Sequence, residues 1–154
     1  DSFQLIPYLP HISADTGGLI DLGSGGGFPG MVLAASGVGP IRMIDSDQRK
    51  CQFLAQTSRK LGFKTEVITS RLEAYTGEKA SCLTARAVAP LDKLFGWALP
   101  MLSDDGQMVL LKGGAWEDEV AQAQKHYEFD VQNHLSQTNA DARILIISNL
   151  SHKG

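Results

Sequence analysis

The sequence predicts an α/β fold with a central, mostly parallel sheet of seven strands. Short apolar segments alternate with segments of helical composition along most of the chain, and a glycine-rich turn joins the first strand to the first helix. Strands that alternate with helices build a parallel sheet with helices on both faces. Two extended segments joined by a polar loop end the chain, so an antiparallel hairpin is expected to complete the sheet. The 154 residues suffice for one domain, 1–154.

The first half of the chain is predicted to contain three strands and two helices. We expect residues 1–16 to be the end of an N-terminal helical portion that is truncated here, with Pro7 and Pro10 limiting the helix. The elements that follow are a strand at 18–22, a helix at 29–36, a strand at 41–44, a helix at 47–61, a strand at 65–69 and a helical turn at 71–75. Pro40 and Gly62 follow the two helices, as expected where helices end.

The second half continues the alternation and then departs from it. Its predicted elements are a strand at 81–88, a helix at 91–102, a strand at 107–112, a helix at 117–125 and extended segments at 127–135 and 143–149. The unbroken apolar run at 108–111 is typical of a strand that is covered on both faces.

The turn at 23–27 contains four glycines and separates an apolar strand from a helix start. Glycine is needed where the backbone takes positive φ or where a ligand approaches it closely. Pro29 suits the first helical position, where its missing N–H costs nothing. The turn is therefore expected to present backbone N–H groups to a bound nucleotide or amino acid.

The glycines fit two classes of cofactor. Gly25, Gly27 and Gly30 spell the dinucleotide fingerprint G-x-G-x-x-G, which predicts an NAD-dependent oxidoreductase. Gly23, Gly25 and Gly27 spell G-x-G-x-G, the pattern of class I S-adenosylmethionine-dependent methyltransferases. Asp21 favours the second class, because a carboxylate there can help hold an ammonium group, directly or through water. S-adenosylmethionine has such a group and NAD does not.

Four further candidates lie at the ends of the second and third strands. Asp45 is placed where a carboxylate reaches ribose hydroxyls in either cofactor class, with Ser46 beside it. The alternative is that Asp45 caps the next helix, a task that Ser46 or Asp47 could also perform. Leu72 and Glu73 follow the third strand, where a methyltransferase places its adenine; alternatively, they begin an ordinary solvated helical turn.

Two cations are predicted to share the reaction space. Arg86 lies near the end of the fourth strand, and an arginine buried there needs an anionic partner, such as the cofactor carboxylate or a nucleic-acid phosphate. Lys112 ends the fifth strand at the same edge, unless it is an ordinary solvated lysine. Trp97 and Trp116 are expected to be core or capping aromatics, with Trp116 the better candidate to stack on a base.

Composition narrows the possible partners. A net charge of −3 argues against binding to nucleic acid through bulk positive charge, so an RNA partner needs a local basic patch. Cys51 and Cys82 have no metal-site spacing and are expected to be buried reduced thiols. No apolar run is long enough to span a membrane. A cytoplasmic monomer without metal or membrane association is expected.

The chain resembles the bacterial 16S ribosomal RNA methyltransferases that modify guanine N7, also called glucose-inhibited division protein B or RsmG. The segments that carry the resemblance are 1–2, 21–30, 45–50, 70–73, 84–87 and 111–113. Their specific parts are the Phe-Pro-Gly that ends the glycine turn and the later Arg-Ala and Leu-Lys-Gly.

The resemblance implies a Rossmann-like class I methyltransferase fold, S-adenosylmethionine as cofactor and the small ribosomal subunit as partner. It further implies that Gly23 and Phe28 lie against the cofactor, that Asp45 holds its ribose, that Leu72 and Glu73 flank its adenine, and that Arg86 contacts cofactor or RNA. Arg86 and Lys112 are predicted to fix the RNA phosphate or the guanine O6 edge. A cofactor-binding ribosome-assembly module without activity stays an alternative.

Overall fold

The computed structural model describes residues 2–23, 27–86 and 89–154. Its strands are β1 (Leu19–Leu22), β2 (Ile41–Asp45), β3 (Thr65–Thr69), β4 (Ala80–Arg86), β5 (Leu102–Lys112), β6 (Tyr127–Leu135) and β7 (Arg143–His152). Its helices are α1 (Gly30–Ala35), α2 (Gln48–Leu61), α3 (Leu91–Ala98) and α4 (Trp116–Ala123). Short 3₁₀ helices cover Ser2–Tyr8, Ala14–Thr16, Leu72–Ala74 and Leu99–Met101.

The strands form one seven-stranded sheet in the order β3-β2-β1-β4-β5-β7-β6. The five strands from β3 to β5 are parallel, whereas β7 runs antiparallel between β5 and β6. This arrangement confirms the predicted mostly parallel sheet with a C-terminal antiparallel hairpin. Because β1 lies between β2 and β4, the strand order reverses there, and the carboxyl ends of these strands border a crevice.

The core lies on both faces of the sheet. Leu19 and Ile20 are fully buried neighbours in β1 that belong to different apolar clusters, as expected for successive strand residues that point to opposite faces. Leu33 of α1 packs in the cluster of Leu19, together with the N-terminal 3₁₀ helix. Phe95 of α3 packs in the cluster of Ile20, on the side that α4 also covers. Helices therefore hold the sheet from both sides and leave its carboxyl edge to form a site.

Several element boundaries differ from the sequence prediction. The N-terminal segment is a 3₁₀ helix, and the buried Gln4 accepts the Gln137 N–H at 2.8 Å and donates to Ser136 Oγ at 3.2 Å. The helix predicted at 91–102 ends at Ala98, and β5 begins at Leu102 instead of residue 107. The last two residues of the strand predicted at 81–88 lie outside the described residues.

In the part of the chain that the structure describes, no helix has the length and apolarity needed to cross a membrane. Among the same residues, no three histidine, cysteine or acidic side chains are grouped in a way that would hold a metal ion.

Candidate functional site

A cavity of about 550 Å³ lies at the carboxyl edge of the sheet. The parallel register creates this edge, because Leu22 of β1 is paired with both Ile44 of β2 and Ala85 of β4. The described residues that line the cavity are Gly23, Asp45, Ser46, Ser70, Arg71, Leu72, Glu73, Arg86 and Trp97. Cavities of this size hold small-molecule ligands and cofactors.

The side chain of Asp21 forms hydrogen bonds with a residue after the glycine turn and with a residue of the neighbouring strand. Its side chain is fully buried, and Oδ2 accepts the Gly30 N–H at 3.1 Å while Oδ1 accepts the Thr84 hydroxyl at 2.7 Å. The carboxylate therefore connects the end of β1 with the first residue of α1 and with β4. Asp21 is not among the described lining residues, so its predicted contact with a cofactor stays a prediction.

The glycines of the turn fall into three groups. Gly23 lines the cavity, has φ +64° and donates its N–H to the Ile44 carbonyl at 2.8 Å. Gly25 lies within 24–26, outside the described residues. Gly27 has φ +98°, and a Cβ there would lie 2.9 Å from Met31 Cγ. The described lining includes neither Gly27 nor Phe28, whose ring is 51% exposed.

Asp45 is half-buried at the end of β2 and lines the cavity. The helix-capping alternative for it is wrong, because Asp47 is the residue before α2 and its side chain accepts the Lys50 N–H at 3.1 Å. Asp45 Oδ1 instead accepts the Asp47 N–H at 2.8 Å, which fixes the carboxylate at the cavity edge. Ser46, which is exposed, lines the cavity next to it.

The segment after β3 forms a second wall. The Ser70 N–H donates to the Asp45 carbonyl at 2.9 Å, which joins this wall to the end of β2. Leu72 is 9% exposed and packs in the core cluster, whereas Glu73 is exposed and lies 3.7 Å from the Arg71 guanidinium. The solvated-turn alternative therefore fits Glu73 better than it fits Leu72.

The two predicted cations lie in different places. Arg86 lines the cavity but is exposed, so the expectation that it is buried is wrong. Lys112 is 5% exposed, which excludes the solvated alternative, and its Nζ bonds to the Ala89 carbonyl and lies 3.0 Å from Glu119 Oε1. It borders a smaller cavity with these residues and is not among the described lining of the larger one. Lys112 thus ends its strand at the same edge as Arg86, whose register partner is Leu111, but its side chain lines the smaller cavity.

Sequence reasoning missed three lining residues: Ser70, Arg71 and Trp97. The first two belong to the segment that was recognised, but only its apolar and acidic members drew attention. Trp97 was expected to be a core or capping residue, yet it lines the cavity, whereas Trp116 lies with its ring centroid 5.9 Å from the Arg143 guanidinium carbon. The sequence contains no clear signal for Trp97, because this residue lies in the last turn of α3 and not at the start of that helix, which follows the carboxyl edge.

Comparison with known proteins decides the family. The model of a family described as rRNA small subunit methyltransferase G, GidB, matches residues 1–146. The chain belongs to this family. The methyltransferase G of Paracoccus denitrificans is 43% identical over 99% of this chain and 78% of its own length. That of Paramagnetospirillum magneticum is 39% identical over 98% of this chain and 72% of its own length.

The fold of this chain is similar to that of a methyltransferase of known structure. Magnesium protoporphyrin IX methyltransferase from Synechocystis, solved with bound S-adenosylmethionine, superposes with a TM-score of 0.66 at 13% identity, over 96% of this chain and 76% of that protein. The family membership confirms the prediction of a methyltransferase, with S-adenosylmethionine as the cofactor class, and decides against the NAD-dependent alternative.

Proposed function

We propose that this GidB family member transfers the methyl group of S-adenosylmethionine to N7 of a guanine in 16S ribosomal RNA, acting in the cytoplasm on the small ribosomal subunit. The observation that carries the proposal is the cavity at the strand-order reversal, where Asp45 and Leu72 lie on adjoining walls. The methyltransferase G relatives supply the RNA, and the family resemblance supplies the N7 position.

The lining residues fit S-adenosylmethionine. The Asp45 carboxylate at the end of β2 can accept hydrogen bonds from ribose hydroxyls. Leu72 provides an apolar contact next to it, since the hydrogen bond between Ser70 N–H and the Asp45 carbonyl holds the two walls together. Gly23 brings bare backbone to the cavity at the point where the cofactor's amino-acid portion would lie.

The proposed chemistry makes modest demands on the protein. The cofactor, when bound, supplies a sulfonium methyl group that leaves with a neutral thioether behind it. Guanine N7 has an available lone pair and carries no proton, so the lone pair forms the new N–CH₃ bond as the C–S bond breaks. No general base is needed, and the protein contributes positioning and exclusion of water.

Arg86 is the proposed contact to the substrate. Its exposed side chain lies on the cavity lining, where a guanidinium can bind a phosphate or the guanine O6 with paired N–H donors. For Lys112 we propose a positioning role. Its Nζ contacts the Ala89 carbonyl and Glu119, and Lys112 is not among the described residues that line the larger cavity.

Methyl transfer to purified small subunits tests the proposal. Subunits from a strain without this modification are incubated with the chain and radiolabelled S-adenosylmethionine, and the RNA is then cleaved by borohydride and aniline, which act at N7-methylguanosine. We expect one cleavage site in 16S RNA and a loss of at least tenfold in kcat/KM for Arg86→Ala, equivalent to about 1.4 kcal/mol. Arg59→Ala, on the exposed part of α2, is the matched charge control.

Two outcomes would contradict the proposal. Label in RNA without cleavage would mean a different acceptor atom. Cofactor binding without any label in RNA would favour the inactive assembly module.

A further inference from the structure

We propose that Trp97 stacks on the adenine ring of the bound cofactor, on the side of the cavity opposite Leu72. The inference rests on the proposed function and deepens it by naming an adenine-binding residue that neither the glycine turn nor the segment after β3 supplies.

Few of the described side chains that line the cavity are apolar. Leu72 and Trp97 are the large apolar side chains among the described residues that line the cavity, and the others are glycine, serine or charged. Adenine is the part of the cofactor with two large apolar faces. A planar base gains most when both faces contact apolar or aromatic groups, because stacking and burial both favour it.

These two side chains pack in the same apolar cluster. Leu72 is a buried member of the core cluster that also contains Phe95 and Leu94 of α3, and Trp97 packs against the same cluster. The core therefore supports both side chains from behind while both reach the cavity. A flat ring in this cavity can therefore contact two apolar side chains that the core already holds in place.

The proposed ribose contact and the proposed adenine contacts are neighbours in the structure, as the ribose and the adenine are in the cofactor. The carbonyl of Asp45 accepts the Ser70 N–H at 2.9 Å, so the proposed ribose contact lies directly beside the segment that carries Leu72. The base is joined to the ribose and must leave it toward that segment. Trp97 is the aromatic residue among the described lining residues, whereas the predicted candidate Trp116 is not among them.

The indole is also held in place before any ligand arrives. Lys93 Nζ lies 5.4 Å from the Trp97 ring centroid, one helical turn away on α3, as a cation over an aromatic ring. The side chain is half-buried, which limits its rotamers further. A preordered ring loses little entropy when it stacks, so it adds to affinity more than a mobile ring would.

Intrinsic fluorescence tests the contact, because the chain has two tryptophans. The Trp116→Phe variant leaves Trp97 as the sole tryptophan, and its emission under tryptophan-selective excitation is expected to change on titration with S-adenosylhomocysteine. The Trp97→Phe variant leaves Trp116, and its emission is expected to stay constant although the ligand binds. The reverse pattern would overturn the inference.

Affinity then separates stacking from general packing. Calorimetry with S-adenosylhomocysteine is expected to show Trp97→Leu about tenfold weaker than wild type and Trp97→Phe within about threefold, because phenylalanine keeps an aromatic face. 5′-Methylthioadenosine, which lacks the amino-acid portion, is expected to lose affinity by the same factor in Trp97→Leu. Loss for S-adenosylhomocysteine alone would place Trp97 at the amino-acid end and overturn the adenine assignment.

The outcomes distinguish this inference from the proposed function. Wild-type protein that binds neither ligand would contradict the proposed function and the inference together. Tight wild-type binding that is equal in Trp97→Leu would overturn the inference alone, and a raised KM for RNA in that variant would then assign Trp97 to the guanine. Circular dichroism of each variant verifies folding, and Trp97→Phe keeps the test valid if Trp97→Leu does not fold.

Discussion

At the scale of single residues, the geometry of the glycine turn depends on one buried carboxylate. Asp21 is fully buried and accepts hydrogen bonds from the Gly30 N–H and the Thr84 hydroxyl. A Cβ on Gly30 would lie 2.7 Å from Asp21 Oδ2, so glycine is required at that point for the carboxylate to reach the helix start. A buried charge needs such donors, since an uncompensated one is costly.

Removal of the Thr84 hydroxyl is therefore expected to destabilise the fold. Thr84→Val keeps the shape of the side chain and removes the hydrogen bond from Thr84 to Asp21 Oδ1, which should lower the free energy of unfolding by about 2 kcal/mol. Thr84→Ser, which keeps the hydroxyl, should lose less. Urea denaturation measures both variants, and equal losses in the two would mean that the hydrogen bond contributes little.

The buried thiol of Cys82 is expected to make the free energy of unfolding decrease at alkaline pH. Burial raises the pKa of its thiol to about 12 from 9.0. Below pH 9.0 the thiol is neutral in folded and unfolded chains alike; above it, the unfolded chain loses a proton that the folded chain keeps, so stability falls as pH rises. The stability difference between wild type and Cys82→Ala should fall by about 1.4 kcal/mol between pH 8 and pH 10. A constant difference in denaturation experiments would contradict this account.

The sequence predicted where the site lies better than it predicted which contacts the side chains of the site make. Asp45 and Leu72 were recognised because the carboxyl ends of parallel strands meet at one edge, and the structure places both on the cavity lining. Lys112 follows the same rule in sequence but turns to Glu119 on α4, a partner that no local pattern reveals. Trp97 was assigned to the core because a helical tryptophan usually packs there, and sequence does not show that it also reaches the cavity.

At the scale of elements, an ion pair between a buried lysine and a half-buried glutamate joins β5 to the helices around it. Lys112 Nζ contacts Glu119 of α4 and the Ala89 carbonyl, and Glu119 Oε1 also accepts the N–H of Leu91, the first residue of α3, at 3.1 Å. This group, which we call the Lys112–Glu119 tether, fixes the start of α3 to its neighbours. Because α3 carries Trp97, the tether also supports one wall of the cavity.

The tether should show strong non-additivity. Glu119→Gln leaves the Lys112 cation buried without its counter-charge and is expected to cost about 3 kcal/mol of stability. The double variant Lys112→Met with Glu119→Gln should cost less than Glu119→Gln alone, since no unpaired charge remains. Lys125→Met, at an exposed lysine of the same region, is the control and should change stability by under about 0.5 kcal/mol. Additive losses in denaturation would contradict the tether.

Element boundaries were less predictable than element types. The strand β5 begins five residues earlier than expected, because its first half contains Asp104, Asp105 and Gly106, which do not read as strand. Its pairing with β4 through Ala80 and Leu102 extends it regardless of those residues. Tertiary pairing thus overrides local propensity, and a single sequence contains no direct record of it.

At the scale of the whole molecule, the order of the strands determines where the cavity forms. The reversal at β1 brings the ends of β1, β2, β3 and β4 to one edge, and the alternation of strands and helices was sufficient to predict that edge. The antiparallel β6 and β7 complete the sheet on the far side of β5 and take no part in the described lining. The fold therefore separates a binding edge from a closing hairpin.

Parallel calorimetric titrations of the chain with S-adenosylhomocysteine and NAD test the central claim most directly. The account predicts micromolar binding of S-adenosylhomocysteine, about −8 kcal/mol, no signal with NAD, and at least tenfold weaker binding in Asp45→Ala. Asp104→Ala, at an exposed carboxylate of β5, is the matched control and should bind as wild type does. Binding of NAD alone, or equal binding of S-adenosylhomocysteine by wild type and Asp45→Ala, would contradict the assignment of this cavity.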